Sequence, residues 1–168
     1  MTMNEQKKPI ATTKQLAAGG SFAAAIALAA AIIAPWEGKR NDPYLDIVRI
    51  NTVCYGHTGS DIQKRRYSDA ECKAILEKDI YKHAAPVFKC TPSLINRPYE
   101  AAAAISLAFN VGTGAYCRST ADRRFDAGDW KGGCQAIGRF NMAGGRVVKG
   151  LVNRRNAEIK ICMKGAGA

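Results

Sequence analysis

Polar and apolar positions divide the chain into three stretches. Residues 15–36, QLAAGGSFAAAIALAAAIIAPW, carry no charge and as a helix are long enough to cross a bilayer core. Between residues 38 and 67 the text changes to turn residues and short β-rich pieces. GKRNDP opens that stretch, GHTGSD closes it, and YLDIV (44–48) and INTVCY (50–55) are strand candidates. From residue 68 onward the period is helical. Ser68 with Glu71 makes a capping box ahead of AECKAILEKDIYKHAAPVF, whose Cys72, Ile75, Leu76 and Ile80 share one face. Pro98 suits the first turn of a helix that runs through YEAAAAISLAFN and stops at Gly112. Ser119 with Asp122 repeats the box before a short helix ending near Gly128. Asp129 caps another that reaches about Phe140, and a last helix runs from about Gly150 to Lys164. The pattern predicts an α+β domain: a small β lobe attached to a larger helical lobe, the cleft between them, preceded by an N-terminal apolar helix.

The apolar run is a weak anchor. Ten of its 22 residues are Ala, and only Leu16, Phe22, Ile26, Leu28, Ile32 and Ile33 are strongly apolar. Together those six contribute about −2 to −4 kcal/mol to insertion, before Gln15, Gly19, Gly20, Ser21 and Pro35 count against it. Lys7, Lys8 and Lys14 precede the run, which keeps the N-terminus cytoplasmic and places the remainder outside. Four readings stand side by side: a signal peptide cleaved near Ala29-Ala30-Ala31, a permanent anchor, a segment that inserts for export and later leaves, and a buried soluble helix. The last would need a larger core than this chain offers. The run divides the chain into a basic tail at 1–14, the weakly hydrophobic segment at 15–36 and one domain at 37–165.

Composition narrows the class further. A chain of 168 residues, 47% hydrophobic and 23% charged, folds around one good core and is not disordered. The net charge of +11 favours polyanionic partners: nucleic acid, anionic lipid or an acidic cell-wall polymer. Lys and Arg are spread along the chain, which suits a generally basic surface better than a nucleic-acid stripe. Six cysteines, Cys54, Cys72, Cys90, Cys117, Cys134 and Cys162, all follow residue 37. That even, well-separated set favours disulfides in an oxidising compartment, and zinc is disfavoured because no CxxC pair exists and His57 and His83 lack ligand spacing. Sequence alone chooses none of the 15 pairings.

Glu37 and Asp46 are the candidate chemical pair. Hydrolysis of a glycosidic bond uses one carboxyl that donates a proton to the leaving oxygen and a second, ionised, on the opposite face of the sugar. Glu37 follows the apolar run and Trp36, and both apolar surroundings and a helix C-terminus disfavour its charged form. Asp46 is expected in a strand near Lys39, Arg40 and Arg49, and Thr52 offers a hydroxyl that can hold a water beside it. Two unrelated surface acids would satisfy the same spacing. His57, in GHTG, is expected to bond a nearby acid, and Asn110 either faces the cleft or serves a helix end.

The spacing E-x8-D-x5-T, met by Glu37, Asp46 and Thr52, resembles the catalytic triad of the phage-type lysozymes, glycoside hydrolase family 24. TVCYGHTG, YSDAECKAIL, LAFNVGTGAYCRST, AGGR and KGLVNRRNAE resemble successive blocks of that family in its order, over about residues 37–164. Chains of this family that open on a weak Ala- and Gly-rich segment resemble signal-anchor-release endolysins, and this one is similar to them. The resemblance implies a phage lysozyme-like fold over 37–165, with Glu37 as general acid and Asp46 and Thr52 activating the attacking water. It implies cleavage of the β-1,4 bond between N-acetylmuramic acid and N-acetylglucosamine in peptidoglycan, lysing the host bacterium. It also implies an enzyme first tethered to the inner membrane through residues 15–36, then released into the periplasm. Peptidoglycan is the expected partner; no cofactor, metal or nucleic acid is expected, and the enzyme is expected to act as a monomer. Phe140 stands where relatives tend to carry Trp or Tyr, and Ala121 and Asp122 replace a leucine pair. Cys90 and Cys117 look additional to the family's set, which suggests that they pair with each other. The competing readings are a lytic transglycosylase on the same bond and a non-enzymatic basic binding module.

Overall fold

A computed structural model of the protein describes residues 20–167, so the basic tail and residues 15–19 of the apolar run lie outside the described residues. Of the rest of that run, helix α1 (Gly20–Ile33) buries Phe22, Ala25, Ala29, Ala30, Ile32 and Ile33, while Ala23, Ala27 and Ala31 face solvent. At each exposed position only a methyl group meets water, so a helix with no polar stripe still fits a surface. Phe22 wedges between Tyr81 and Phe88, with ring centroids 5.5 and 5.4 Å away. The chain thus does hold a core for this helix, which corrects the expectation that it could not. Small side chains let α1 lie close to its neighbours without demanding volume.

The β lobe follows. β1 (Arg40–Leu45), β2 (Asn51–Cys54) and β3 (His57–Thr58) form an antiparallel sheet in the order β1-β2-β3, with Tyr44 opposite Thr52 and Val53 opposite His57. The predicted strands are displaced. The turn-forming composition of GKRNDP predicts a turn, yet most of it is β1, and IVRI, largely β-branched and expected to be extended, is the turn instead. Asp46 decides this, because its side chain captures the amides that a strand would have used.

The helical lobe keeps its predicted caps. α2 (Asp69–Cys90) starts at Ser68, whose hydroxyl accepts from Glu71 N at 3.2 Å while the Glu71 carboxylate accepts from Ser68 N at 2.7 Å. A 3-10 turn, Pro92–Asn96, leads into α3 (Pro98–Val111), the centre of the core, buried on every side from Glu100 to Ala108. It ends at Gly112, whose φ of 90° suits only glycine. α4 (Thr113–Tyr116) was not foreseen; α5 (Thr120–Asp126) and α6 (Trp130–Ala136) carry the predicted caps Ser119 and Asp129. Asp122 has a use that a leucine could not fill: Thr91 Oγ1 donates to it at 2.6 Å, beside the buried Tyr116 hydroxyl, and burial raises its pKa. A small hairpin, β4 (Met142–Ala143) and β5 (Arg146–Val147), was also unforeseen and precedes α7 (Lys149–Ala166). α1 and α7 both pack on α3.

All six cysteines are bridged: Cys54 to Cys72, Cys90 to Cys117, and Cys134 to Cys162. The first ties the β lobe to α2, and the second is the pair the resemblance suggested.

The β lobe is also clamped to the start of α2 by exposed ion pairs, Lys39 with Asp69 and Arg65 with Glu71, both at 2.7 Å. Arg65, with the Ser68 amide, holds the Glu71 carboxyl down at about 2, and Lys39 and Asn41 lower Asp69. A depressed carboxylate pKa contributes stability that is present above the unfolded value, ~4.3, and disappears as pH falls through the folded one. Urea midpoints should therefore fall between pH ~4.5 and ~2, and less steeply in Glu71→Gln than in the wild type.

Candidate active site

Glu37 is placed by the end of α1. Trp36 N and Glu37 N both donate to Ile33 O, at 2.9 and 3.3 Å, so the chain keeps turning past the helix and takes the acid with it. Glu37 Oε1 accepts from Arg154 Nη1 of α7 at 3.0 Å. The apolar surroundings expected for this acid are therefore corrected: a buried guanidinium stands against it, and Trp36 is partly exposed.

Asp46 lies in the β1–β2 turn, one residue past the strand in which it was expected. Its Oδ1 accepts from Val48 N at 2.9 Å and Ile50 N at 2.8 Å, and its own N–H donates to Ile50 O at 2.9 Å. The turn closes through Arg49 at φ 63°, a left-handed conformation uncommon for a residue with a Cβ. Backbone amides, rather than the cations near it in sequence, hold this carboxylate. Lys39 is engaged by Asp69, and Arg40 lies over the Tyr44 ring, 4.5 Å from its centroid.

Glu37 and Asp46 line one open cleft of about 520 Å³, with Arg40, Tyr44, Leu45 and Gly56 among its other walls. Thr52 is buried, 3% exposed, and its hydroxyl donates to Ile50 O at 2.9 Å. Ile50 thus ties Thr52 to Asp46, its amide serving one and its carbonyl the other. The Thr52 oxygen keeps its accepting lone pairs.

His57 is structural, as its context suggested. Its Nδ1 is 2.7 Å from Asp79 Oδ2 and its Nε2 3.1 Å from Asp61 Oδ1, which pins β3 to α2 and lowers the Asp61 pKa.

Behind the cleft lies a charge cluster that the sequence reading missed. Arg154 Nε is 3.6 Å from Glu158 Oε1, and Arg155 Nε is 2.7 Å from Glu158 Oε2, an ion pair too bent for a hydrogen bond. Ser106 Oγ donates to Glu158 Oε1 at 2.7 Å, and Arg155 Nη2 donates to the same oxygen and to Asn110 Oδ1, each at 3.0 Å. Asn110 therefore serves this cluster. Arg155 Nη1 also reaches the Phe140 carbonyl at 3.3 Å, a contact that does not depend on which side chain stands at 140. Glu158 is fully buried, and desolvation raises its pKa against the pull of both arginines. Two adjacent arginines with a glutamate three and four residues on, inside a helix, were the available signal.

The phage lysozyme family matches residues 34–158. The chain belongs to that family. It is a glycosidase of the lysozyme type. Among relatives it is similar to the SAR-endolysin of Bacteriophage PS119, 42% identical over 132 residues that span 77% of each chain. It is similar also to the SAR-endolysin of Escherichia phage Mu, 41% identical over 122 residues that span 71% of this chain and 69% of the other. In fold it resembles the active form of P1 phage endolysin Lyz, with a TM-score of 0.68 at 23% identity over 82% of this chain and 84% of that one.

Removing one member of a buried, hydrogen-bonded ion cluster costs about 3–5 kcal/mol, because the partner charge stays behind uncompensated. Arg155→Met should lower stability by that order in urea unfolding, far more than Arg118→Met on the surface.

Proposed function

We propose that this protein is an endolysin that hydrolyses the β-1,4 bond between N-acetylmuramic acid and N-acetylglucosamine in peptidoglycan and so lyses the host bacterium. The observation that carries this reading is the pair of carboxylates, Glu37 and Asp46, on the walls of one cleft in a chain of the phage lysozyme family. Glu37 is the general acid: Arg154 holds its Oε1, and the proton passes from Oε2 to the leaving glycosidic oxygen. Water attacks the anomeric carbon from the opposite face, positioned by Asp46 and by the lone pairs of Thr52, and gives up its proton to Asp46. Arg154 is a positioning residue and touches no reacting atom.

The N-terminal segment supplies control. Residues 15–36 carry the chain to the inner membrane, and their withdrawal releases it, active, into the periplasm. Among the described residues no helix is long and apolar enough to span a membrane, and α1 is packed in the core. Burying Phe22, Ile32 and Ile33 stabilises the released form by about 1.5–3 kcal/mol each, which is enough to compete with an insertion energy of about −2 to −4 kcal/mol. Because Glu37 hangs from the end of α1, it reaches Arg154 only when that helix docks.

The chemistry is tested by mass spectrometry of sugar fragments released from purified peptidoglycan. Reducing-end N-acetylmuramic products are expected from the wild type and should fall by about 10²- to 10⁴-fold in Glu37→Gln. Anhydro ends would mean a transglycosylase, and intact binding without release by either protein would mean a binding module. For the control step, exchanging Ala23, Ala27 and Ala31 for Leu strengthens the anchor at positions that face solvent in the released form. Lysis should be delayed, and unchanged timing would rule out release as the trigger.

A further inference from the structure

β1 is an edge strand, bonded to β2 on one side. On its free side the chain near Tyr67 covers its start, since Tyr67 N donates to Asn41 O at 2.8 Å and Asn41 Nδ2 to Tyr67 O at 2.9 Å. Beyond Asn41 the two segments part, and a groove of about 590 Å³ opens between residues 42–45 and residues 64–66. Tyr44 and Leu45 line both this groove and the cleft that holds Glu37 and Asp46, so the two depressions share a wall.

The charges of the groove are unequal in their freedom. Arg65 is committed to Glu71 and Gln63, and it stacks on Tyr67 at 4.5 Å. Arg66 is paired with Asp42, but both side chains are more than half exposed, and such a pair is worth at most about 1 kcal/mol. Lys64 is exposed and enters no ion pair among the described residues. The groove therefore offers one free cation and one easily recruited, over an apolar floor of Pro43, Tyr44 and Leu45, next to an open strand edge.

We propose that this groove binds the carboxylate-bearing peptide stem attached to the glycan that occupies the cleft. This rests on the muramidase reading above. A short peptide branching from the sugar passes over Tyr44 and Leu45 and brings its carboxylates to Lys64 and Arg66. Asp42, in the same wall, disfavours a dense polyphosphate and suits isolated carboxylates that replace it at Arg66.

The test compares kcat/KM on peptidoglycan strands bearing their stems with that on the same strands stripped by an amidase. In Lys64→Glu the ratio of the two should fall about fivefold, mainly through KM, whereas Lys131→Glu, an equal charge change on a distant helix, should leave it unaltered. An unaltered ratio in Lys64→Glu, or an equal loss on both substrates, overturns the proposal. Calorimetric binding of stem-bearing and stripped strands to Glu37→Gln, with and without Lys64→Glu, reads the groove without turnover. Weaker binding of the stem-bearing strand alone supports it, and equal binding overturns it. A wild type that cleaves neither substrate would sink the muramidase reading instead, and the binding comparison would still decide the groove.

Discussion

The contact of α1 with the central helix α3 sets the position of Glu37 at the cleft. Ala25, Ala29 and Ala30 on one side meet a helix that is itself Ala101 to Ala104 at its start, so the two backbones approach closely. Alanine is a poor membrane residue and a good packing residue, and one composition serves both requirements of a segment that is proposed to leave a bilayer and enter a protein. Leucines at the same places would strengthen the anchor and overfill the core.

Glu37 marks where this contact becomes chemistry. Its backbone is an extension of α1, and its carboxylate is met by an arginine 117 residues further on. Arg154 and Arg155 are buried, a costly arrangement that is offset in part because Glu158 pairs with both, Asn110 and a main-chain carbonyl accept from Arg155, and Glu37 accepts from Arg154. The cluster joins α3 to α7, and with Glu37 it gathers the first described helix, the central one and the last at one point.

Local signals were legible in the sequence and distant ones were not. The capping box at Ser68 and Glu71, the proline start and glycine stop of α3, and the caps at Ser119 and Asp129 are encoded within four residues of where they act, and each is found in place. The strand limits failed because β propensity in IVRI was overruled by one side chain, Asp46, which bonds the amides of Val48 and Ile50. Of the candidate site, the residues and the proximity of Glu37 to the end of the apolar run could be read. The guanidinium beside Glu37 could not, since no local pattern ties residue 37 to residue 154. The hairpin of β4 and β5 was missed because its strands are two residues long, below any periodic signal.

The three disulfides close loops over 54–72, 90–117 and 134–162. Everything before Cys54 lies outside them: α1, Glu37, the whole of β1, Asp46 and Thr52. Cross-links restrict an unfolded chain only within the loops they close, so the covalently braced body is the helical lobe and the root of the β lobe. The residues proposed to carry out hydrolysis all lie on the unbraced lead of the chain. No covalent cross-link holds that lead to the helical lobe, so Glu37 keeps its place through the packing of α1 and one ion pair with Arg154, and the geometry there is as reversible as those contacts.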